Sequence, residues 1–249
     1  MLRWLAVVAA GVVVACGSAP ANGNAKAPSS VVVFAAASLQ PPFDRIAAQL
    51  RTRDDIATTF NYAGTQTLTS QLTQGAQADV FASADTAHMT AAQQAGLLAG
   101  GSQLFAHNRL EIAVAKGNPK GIRSLADLAR PGLVVVLADP AVPAGKYALQ
   151  ALAKAGVSVR PKSLELQVTA VLSKVALGEA DAGIVYVSDV VTSGQVDGIA
   201  IPDGQNVIAD YPIAQLQSAE HKEAAKEFID FVVSPDGQSI LKTAGFETA

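Results

Sequence analysis

The sequence predicts an α/β protein built as two comparable blocks of mostly parallel strands, closed by a helical tail. Three observations predict it. From Val31 onward, short apolar runs of strand length alternate with amphipathic stretches, and the alternation restarts near Leu110. The end of the chain changes to helical spacing alone. With 249 residues, 50% of them apolar and 16% charged, the chain can bury a core in one large domain or in two lobes.

Val31-Val32-Val33-Phe34-Ala35 reads as a buried strand. Phe43, Ile46, Ala47 and Leu50 follow at i, i+3, i+4 and i+7, one face of a helix whose first turn accommodates Pro41 and Pro42. Phe60 and Tyr62 end a second strand, and a second helix opens at Thr65. Asp79-Val80-Phe81-Ala82 is a third strand, followed by a helix over residues 86–95. The second block starts with a strand over residues 110–115. It continues with strands over 133–137 and 183–187, and with helices from Ala144 and Val168. After Asp210-Tyr211-Pro212-Ile213, the residues Ala224, Ala225, Phe228, Phe231 and Val232 form an apolar helical face, and Pro235 restarts a shorter helix. No sequence repeat of fixed period is visible, which argues against a solenoid.

Residues 1–15 carry one cation, Arg3, and then an apolar stretch of signal-peptide length, too short to span a bilayer. The stretch ends in Val13-Val14-Ala15-Cys16, which resembles a bacterial lipobox. The expectation is a lipoprotein signal peptide over residues 1–15 and lipid attachment at Cys16; a plain secretory signal is the alternative. Residues 16–30, rich in Ala, Ser, Pro, Gly and Asn, read as a flexible tether. The body is then expected outside the cytoplasm, lipid-anchored to the cell membrane.

Cys16 is the one cysteine, so an internal disulfide and a thiolate-held zinc or iron–sulfur site are excluded. With 18 Lys and Arg against 21 Asp and Glu, a net charge of -3 and no basic run, nucleic acid is not an expected partner. His88, His107 and His221 are scattered and read as surface or structural residues rather than metal ligands. Ser239-Ile240-Leu241-Lys242 matches the Ser-x-x-Lys of penicillin-binding enzymes, and Ser188-Asp189 half-matches their Ser-Asp-Asn. The order is wrong and no Lys-Thr-Gly follows, which leaves a serine acyl-transfer enzyme using Ser239 or Ser38 as a remote alternative.

Ser38 follows the first strand and precedes a helix, and Thr65 stands in the same relation to the second helix. Each alone reads as an N-cap. Val142-Pro143-Ala144-Gly145 and Gln167-Val168-Thr169 also place backbone N–H groups at helix starts. Four helix N-termini at strand ends make an anion site, since each presents unpaired donors and a partial positive charge.

Several segments together are similar to the signature segments of molybdate-binding proteins of bacterial ABC importers. They are Phe34-Ala35-Ala36-Ala37-Ser38-Leu39, Tyr62-Ala63-Gly64-Thr65, Gly75-Ala76-Gln77-Ala78-Asp79-Val80-Phe81-Ala82-Ser83-Ala84-Asp85, Asp139-Pro140-Ala141-Val142-Pro143-Ala144-Gly145 and Gly183-Ile184-Val185-Tyr186-Val187-Ser188-Asp189. The similarity runs in order over residues 31–246. It implies a two-lobed periplasmic-binding-protein fold of type II with two crossover strands and the ligand in the cleft between lobes. Lobe 1 would take residues 30–108 and 213–249, and lobe 2 residues 109–212. It further implies a monomer that is not an enzyme, carries no cofactor, and delivers molybdate or tungstate to an ABC permease. By motif, the ligand set would be Ser38, Thr65, Ala144, Val168 and Tyr186. The second turn, often serine-rich in the family, here reads Gly64-Thr65-Gln66, and the stiff threonine rotamer narrows the cleft. Lys146, just inside the helix from Ala144, is expected to be solvated.

Neutral donors suit such an ion physically. Arg or Lys would first have to lose hydration at several kcal/mol each, whereas helix-end amides are already oriented. A site without an acceptor leaves the O–H of hydrogen phosphate buried and unpaired, at about 1–3 kcal/mol. Molybdate, tungstate and sulfate escape that cost. Sulfate, with shorter bonds to oxygen, would stretch its hydrogen bonds in a cleft sized for the larger ions; it is the alternative ligand within this class.

Overall fold

The computed structural model describes Met1 and residues 29–249. The expected signal peptide beyond Met1, Cys16 and nearly all of the tether lie outside the described residues. None of the described helices is long and apolar enough to cross a membrane.

The chain opens with strand β1 (Ser29–Ala36), which turns through a short 3-10 segment, Ala37–Leu39, directly into helix α1 (Gln40–Asp54). Pro41 and Pro42 sit in the first turn of α1, where a missing N–H removes no helical bond. Phe43, Ile46 and Leu50 bury one face of the helix. Asp55 ends it in the left-handed region (φ 53°), with its N–H returned to the Leu50 carbonyl. Strand β2 (Ile56–Ala63), helix α2 (Thr65–Thr73), strand β3 (Val80–Ala82) and helix α3 (Thr86–Gln94) complete the first block.

Strand β4 (Gln103–Ala115) begins seven residues before the predicted Leu110. Its first half runs Leu104-Phe105-Ala106 and then His107-Asn108-Arg109, so the apolar run is cut short by three polar residues before the longer one of the second half. The second block then runs through β5 (Val135–Ala138), α4 (Pro143–Lys154), β6 (Ser163–Glu165), α5 (Val168–Ala176) and β7 (Ala182–Tyr186). Val187, predicted to extend that last strand, instead opens helix α6 (Val187–Ser193). Strands β8 (Val196–Ala200) and β9 (Ile208–Gln215), helices α7 (Lys222–Val233) and α8 (Pro235–Thr243), and the short β10 (Glu247–Thr248) finish the chain.

The strand order is β2-β1-β3-β9-β4-β7-β5-β6. The two ends of this order repeat one pattern. In the first, β1 lies parallel between β2 and β3; in the second, β5 lies parallel between β6 and β7. The repeat extends to a hydrogen-bond motif. Asp79, just before β3, accepts from the Val32 N–H at 2.8 Å, and Asp181, just before β7, accepts from the Val134 N–H at 2.8 Å. The antiparallel strands β4 and β9 join the halves. Residues 103–109 of β4 pair with β9, and residues 110–114 pair with β7. The fold is thus the two-lobed α/β architecture, with its crossover strands between the lobes.

The core follows from these faces. Val31, Val33 and Ala35 of β1 pack into the main cluster, while Phe34 points to the opposite side, into a smaller cluster with Leu68, Leu72, Phe81 and Met89. Phe43 is fully buried at the centre of an aromatic group, with ring centroids 5.4 Å from Phe228, 6.0 Å from Phe105 and 6.2 Å from Phe60. Its truncation to Ala would cost about 3–5 kcal/mol.

Candidate functional site

Parallel strands in both halves end at one cleft, and the turns that follow them supply its walls. Ser38 is the middle residue of the 3-10 turn after β1. Thr65 is the first residue of α2, behind Gly64 at the N-cap. Ala144 is the second residue of α4; Pro143 before it has no N–H, so Ala144 offers the first donor of that helix. Val168 opens α5 and Tyr186 ends β7. All five line one narrow cavity, together with residues that include Gly64, Ala84, Val142 and Pro143. Its lining carries no Asp, Glu, Lys, Arg or His.

Ser38 and Thr65 are not helix caps. No side-chain cap bond forms at either helix start, and the N-cap positions belong to Leu39 and Gly64. The hydroxyls have other partners. The Ser38 Oγ lies 2.9 Å from the Tyr211 hydroxyl, and the Thr65 Oγ1 accepts from the Ala84 N–H at 3.1 Å. Tyr186 is 1% exposed, its hydroxyl is buried, and that hydroxyl has no hydrogen-bond partner among the described residues. Burial, followed by the neighbouring Tyr211, pushes its phenol well above the ordinary tyrosine value, so it keeps its proton. The cavity therefore offers hydroxyl donors and first-turn amides, the chemistry of a buried-anion site.

The two walls meet directly. The Gln66 Nε2 donates to the Leu166 carbonyl at 2.9 Å, and the Lys146 Nζ lies 3.8 Å from the Asp85 Oδ2. Lys146 is absent from the cavity lining; its side chain is 43% exposed and tied to Asp85 rather than simply solvated. Tyr211, Ala84, Gln66 and Asp85 were not singled out from the sequence. Ala84 and Asp85 fall inside a quoted signature segment, but Tyr211 lies 173 residues from Ser38 and no local pattern pairs them.

Each histidine pairs with an aspartate: His88 with Asp85 at 2.8 Å, His107 with Asp210 at 2.7 Å, and His221 with Asp79 at 3.0 Å. Among the described residues, no group of three His, Cys, Asp or Glu side chains is placed to hold a metal. Ser239 and Lys242 are exposed on α8, away from the cleft.

A two-lobed α/β fold with an uncharged, donor-lined cleft defines a binding protein for a small solute, and the chain belongs to the bacterial extracellular solute-binding protein family, whose model matches residues 31–247. Among its relatives, the molybdate-binding protein ModA of Mycobacterium tuberculosis is 44% identical over 259 residues, covering 98% of this chain and 99% of the relative. ModA of Escherichia coli is 31% identical over 236 residues, with 90% and 91% covered. The periplasmic molybdate-binding protein of Azotobacter vinelandii shares the fold, with a TM-score of 0.77 at 20% identity over 88% of this chain and 99% of that one.

Proposed function

We propose that this chain captures molybdate, and tungstate with it, outside the cytoplasm and delivers the ion to an ABC permease. Ser38, Thr65, Ala144, Val168 and Tyr186 are the ligand set. The observation that carries this reading is the cavity lined by these five residues, with no charged side chain and with the Tyr186 hydroxyl lacking a partner. A dianion there would be met by fixed amides and hydroxyls, with no charged side chain to dehydrate. The 44% identity to a molybdate-binding protein along nearly the whole chain supports molybdate as the ion.

In this reading lobe 1 comprises residues 30–108 and 213–249 and lobe 2 residues 109–212, and their closure buries the ion. The protein acts as a monomer held at the membrane by lipid on Cys16; Cys16→Ser would release it into the soluble fraction. Calorimetric titration with molybdate, tungstate, sulfate and phosphate tests the function. Binding of the first two and not of phosphate is expected, and ligand at about 100 times its Kd would add about 2.7 kcal/mol of stability. A protein that binds sulfate alone, or none of the four ions, would overturn it.

A further inference from the structure

Building on that oxyanion reading, we infer that Tyr211 is a positioning residue: it fixes Ser38 as a donor toward the cleft and so sets the discrimination between unprotonated and protonated oxyanions.

The hydroxyls of Ser38 and Tyr211 are 2.9 Å apart, and by distance alone either could donate. Their surroundings decide. Tyr211 lies on the crossover strand β9, is 0% exposed, and packs edge-on against the rings of Tyr186, Phe105 and Phe246. Burial pushes its phenol above the ordinary value, so the proton stays on. Neighbouring Asn108 is spent elsewhere, since its amide donates to the Ser188 hydroxyl at 2.7 Å and its oxygen accepts from the Arg109 N–H at 3.0 Å, and the one hydrogen bond of the Tyr211 hydroxyl is the one to Ser38. The Ser38 Oγ is thus the acceptor within reach of the Tyr211 proton. Were Ser38 to donate instead, a buried phenol O–H would be left unpaired, which is costly. Tyr211 therefore donates, Ser38 accepts from behind, and the one hydrogen of Ser38 turns to the cavity that it lines.

Thr65 is held in the same sense, because the Ala84 N–H occupies its oxygen at 3.1 Å and leaves its hydrogen free. Two side-chain hydroxyls of the first lobe are in this way set as donors by groups behind them. An ion with four bare oxygens satisfies both. Hydrogen phosphate brings an O–H that needs an acceptor, and the rear partner already fills one of the two lone pairs of each hydroxyl, so a single lone pair on each is left to meet it. Of the two rear partners only Tyr211 is a side chain, so it is the one that substitution can remove.

The test titrates the full chain, as wild type, Tyr211→Phe, Ser38→Ala and the double variant, with molybdate, sulfate and inorganic phosphate. Phe keeps the ring packing, and the ligand-free Tm reports the fold. Tyr211→Phe should weaken molybdate binding about tenfold and phosphate binding much less, narrowing the ratio between them, and should add nothing in the Ser38→Ala background. An unchanged ratio, or losses that add in the double variant, would overturn the inference. A wild type that takes sulfate and not molybdate would refute the ligand assignment alone, and the Tyr211 comparison would then be read on sulfate against phosphate. Neutron diffraction on the wild type reads the same point without a variant: deuterium on the Tyr211 oxygen supports the inference, and deuterium on Ser38 pointing at Tyr211 refutes it.

Discussion

Lys146 on α4 reaches across the cleft to Asp85 at the start of α3, with its ammonium 3.8 Å from the carboxylate. Asp85 is buried and already occupied on one oxygen, which accepts from the His88 N–H at 2.9 Å and stands 2.8 Å from the His88 ring; its other oxygen has no hydrogen bond. Burial raises the Asp85 pKa, but the hydrogen bonds from His88, and then the charges of His88 and Lys146, outweigh it and hold the carboxyl below its ordinary value. The pair links the two walls without touching the cavity.

Lys146→Ala should accordingly cost little. A partly exposed pair at this distance is worth about 0.2–1 kcal/mol and is screened by salt. We expect molybdate affinity to fall by no more than about fivefold at low ionic strength, and by less in high salt. Calorimetry at two salt concentrations reads this. A loss of binding would mean that the ammonium neutralises the ion, and would refute the neutral-donor site.

Tyr186→Phe should move stability and binding in opposite directions. In the free protein the buried hydroxyl has no partner, so deleting it removes a desolvated polar group and is neutral or stabilising. With ligand, the lost donor should weaken molybdate binding by about tenfold or more, since a hydrogen bond to a charged group is worth about 1.5–3 kcal/mol. Thermal melts with and without molybdate separate the two effects. A ligand-free protein destabilised by several degrees would show that the hydroxyl has a structural partner.

Much of this was legible in the sequence. Continuous apolar runs marked β1 and the second half of β4, because both faces of those strands are buried, and a 3.6-residue spacing marked α1 and α7, because one face of each helix meets the core. Ser38, Thr65, Ala144 and Val168 were legible as donors at helix starts, whereas Tyr186 entered the set only through the resemblance to molybdate-binding proteins, since a tyrosine in an apolar strand otherwise reads as core. The internal repeat was not, because what recurs is strand order and the bonds of Asp79 to Val32 in β1 and of Asp181 to Val134 just before β5, which no fixed period in the sequence marks. Tyr211 behind Ser38 was illegible for a related reason. Its place depends on β9 crossing between the two blocks, a pairing set by the whole sheet.

Asp189 gives the protein a pH dependence of definite sign. It is buried beneath Tyr186 and accepts from the Tyr186 N–H at 3.0 Å. Burial raises its pKa to about 7, against the smaller opposing effect of that hydrogen bond. The folded state thus holds a proton that the unfolded chain releases near pH 4, and stability falls as pH rises from there to about 7, then levels. Half-buried Glu111, raised by burial, contributes in the same direction. Asp79 and Asp85 are lowered, so their contributions are complete above pH 4 and fall away only in more acidic solution. The wild type should therefore melt lower at pH 8 than at pH 5.5, and Asp189→Asn, which keeps an acceptor for Tyr186, should flatten that difference. An unchanged pH profile in the variant would show that Asp189 is ionised throughout.

Gly64 is the place where a single methyl group tests whether the walls must meet. Its backbone (φ -59°, ψ 138°) suits any residue, so the need for glycine is one of space. A Cβ there would fall on the Leu166 carbonyl oxygen and on the Gln66 amide, far inside contact distance. Leu166 belongs to the opposite wall, and the same carbonyl takes the Gln66 hydrogen bond at 2.9 Å. Gly64→Ala should hence hold the walls apart while leaving each lobe intact. We expect a ligand-free Tm within a few degrees of wild type and molybdate affinity reduced by about tenfold or more. Gln66→Ala, which removes the bond without adding bulk, should cost about 0.5–1.5 kcal/mol, a smaller loss. Titration of both variants beside the wild type decides the point, since full affinity in Gly64→Ala would show that the cleft holds its ion without this approach of the walls.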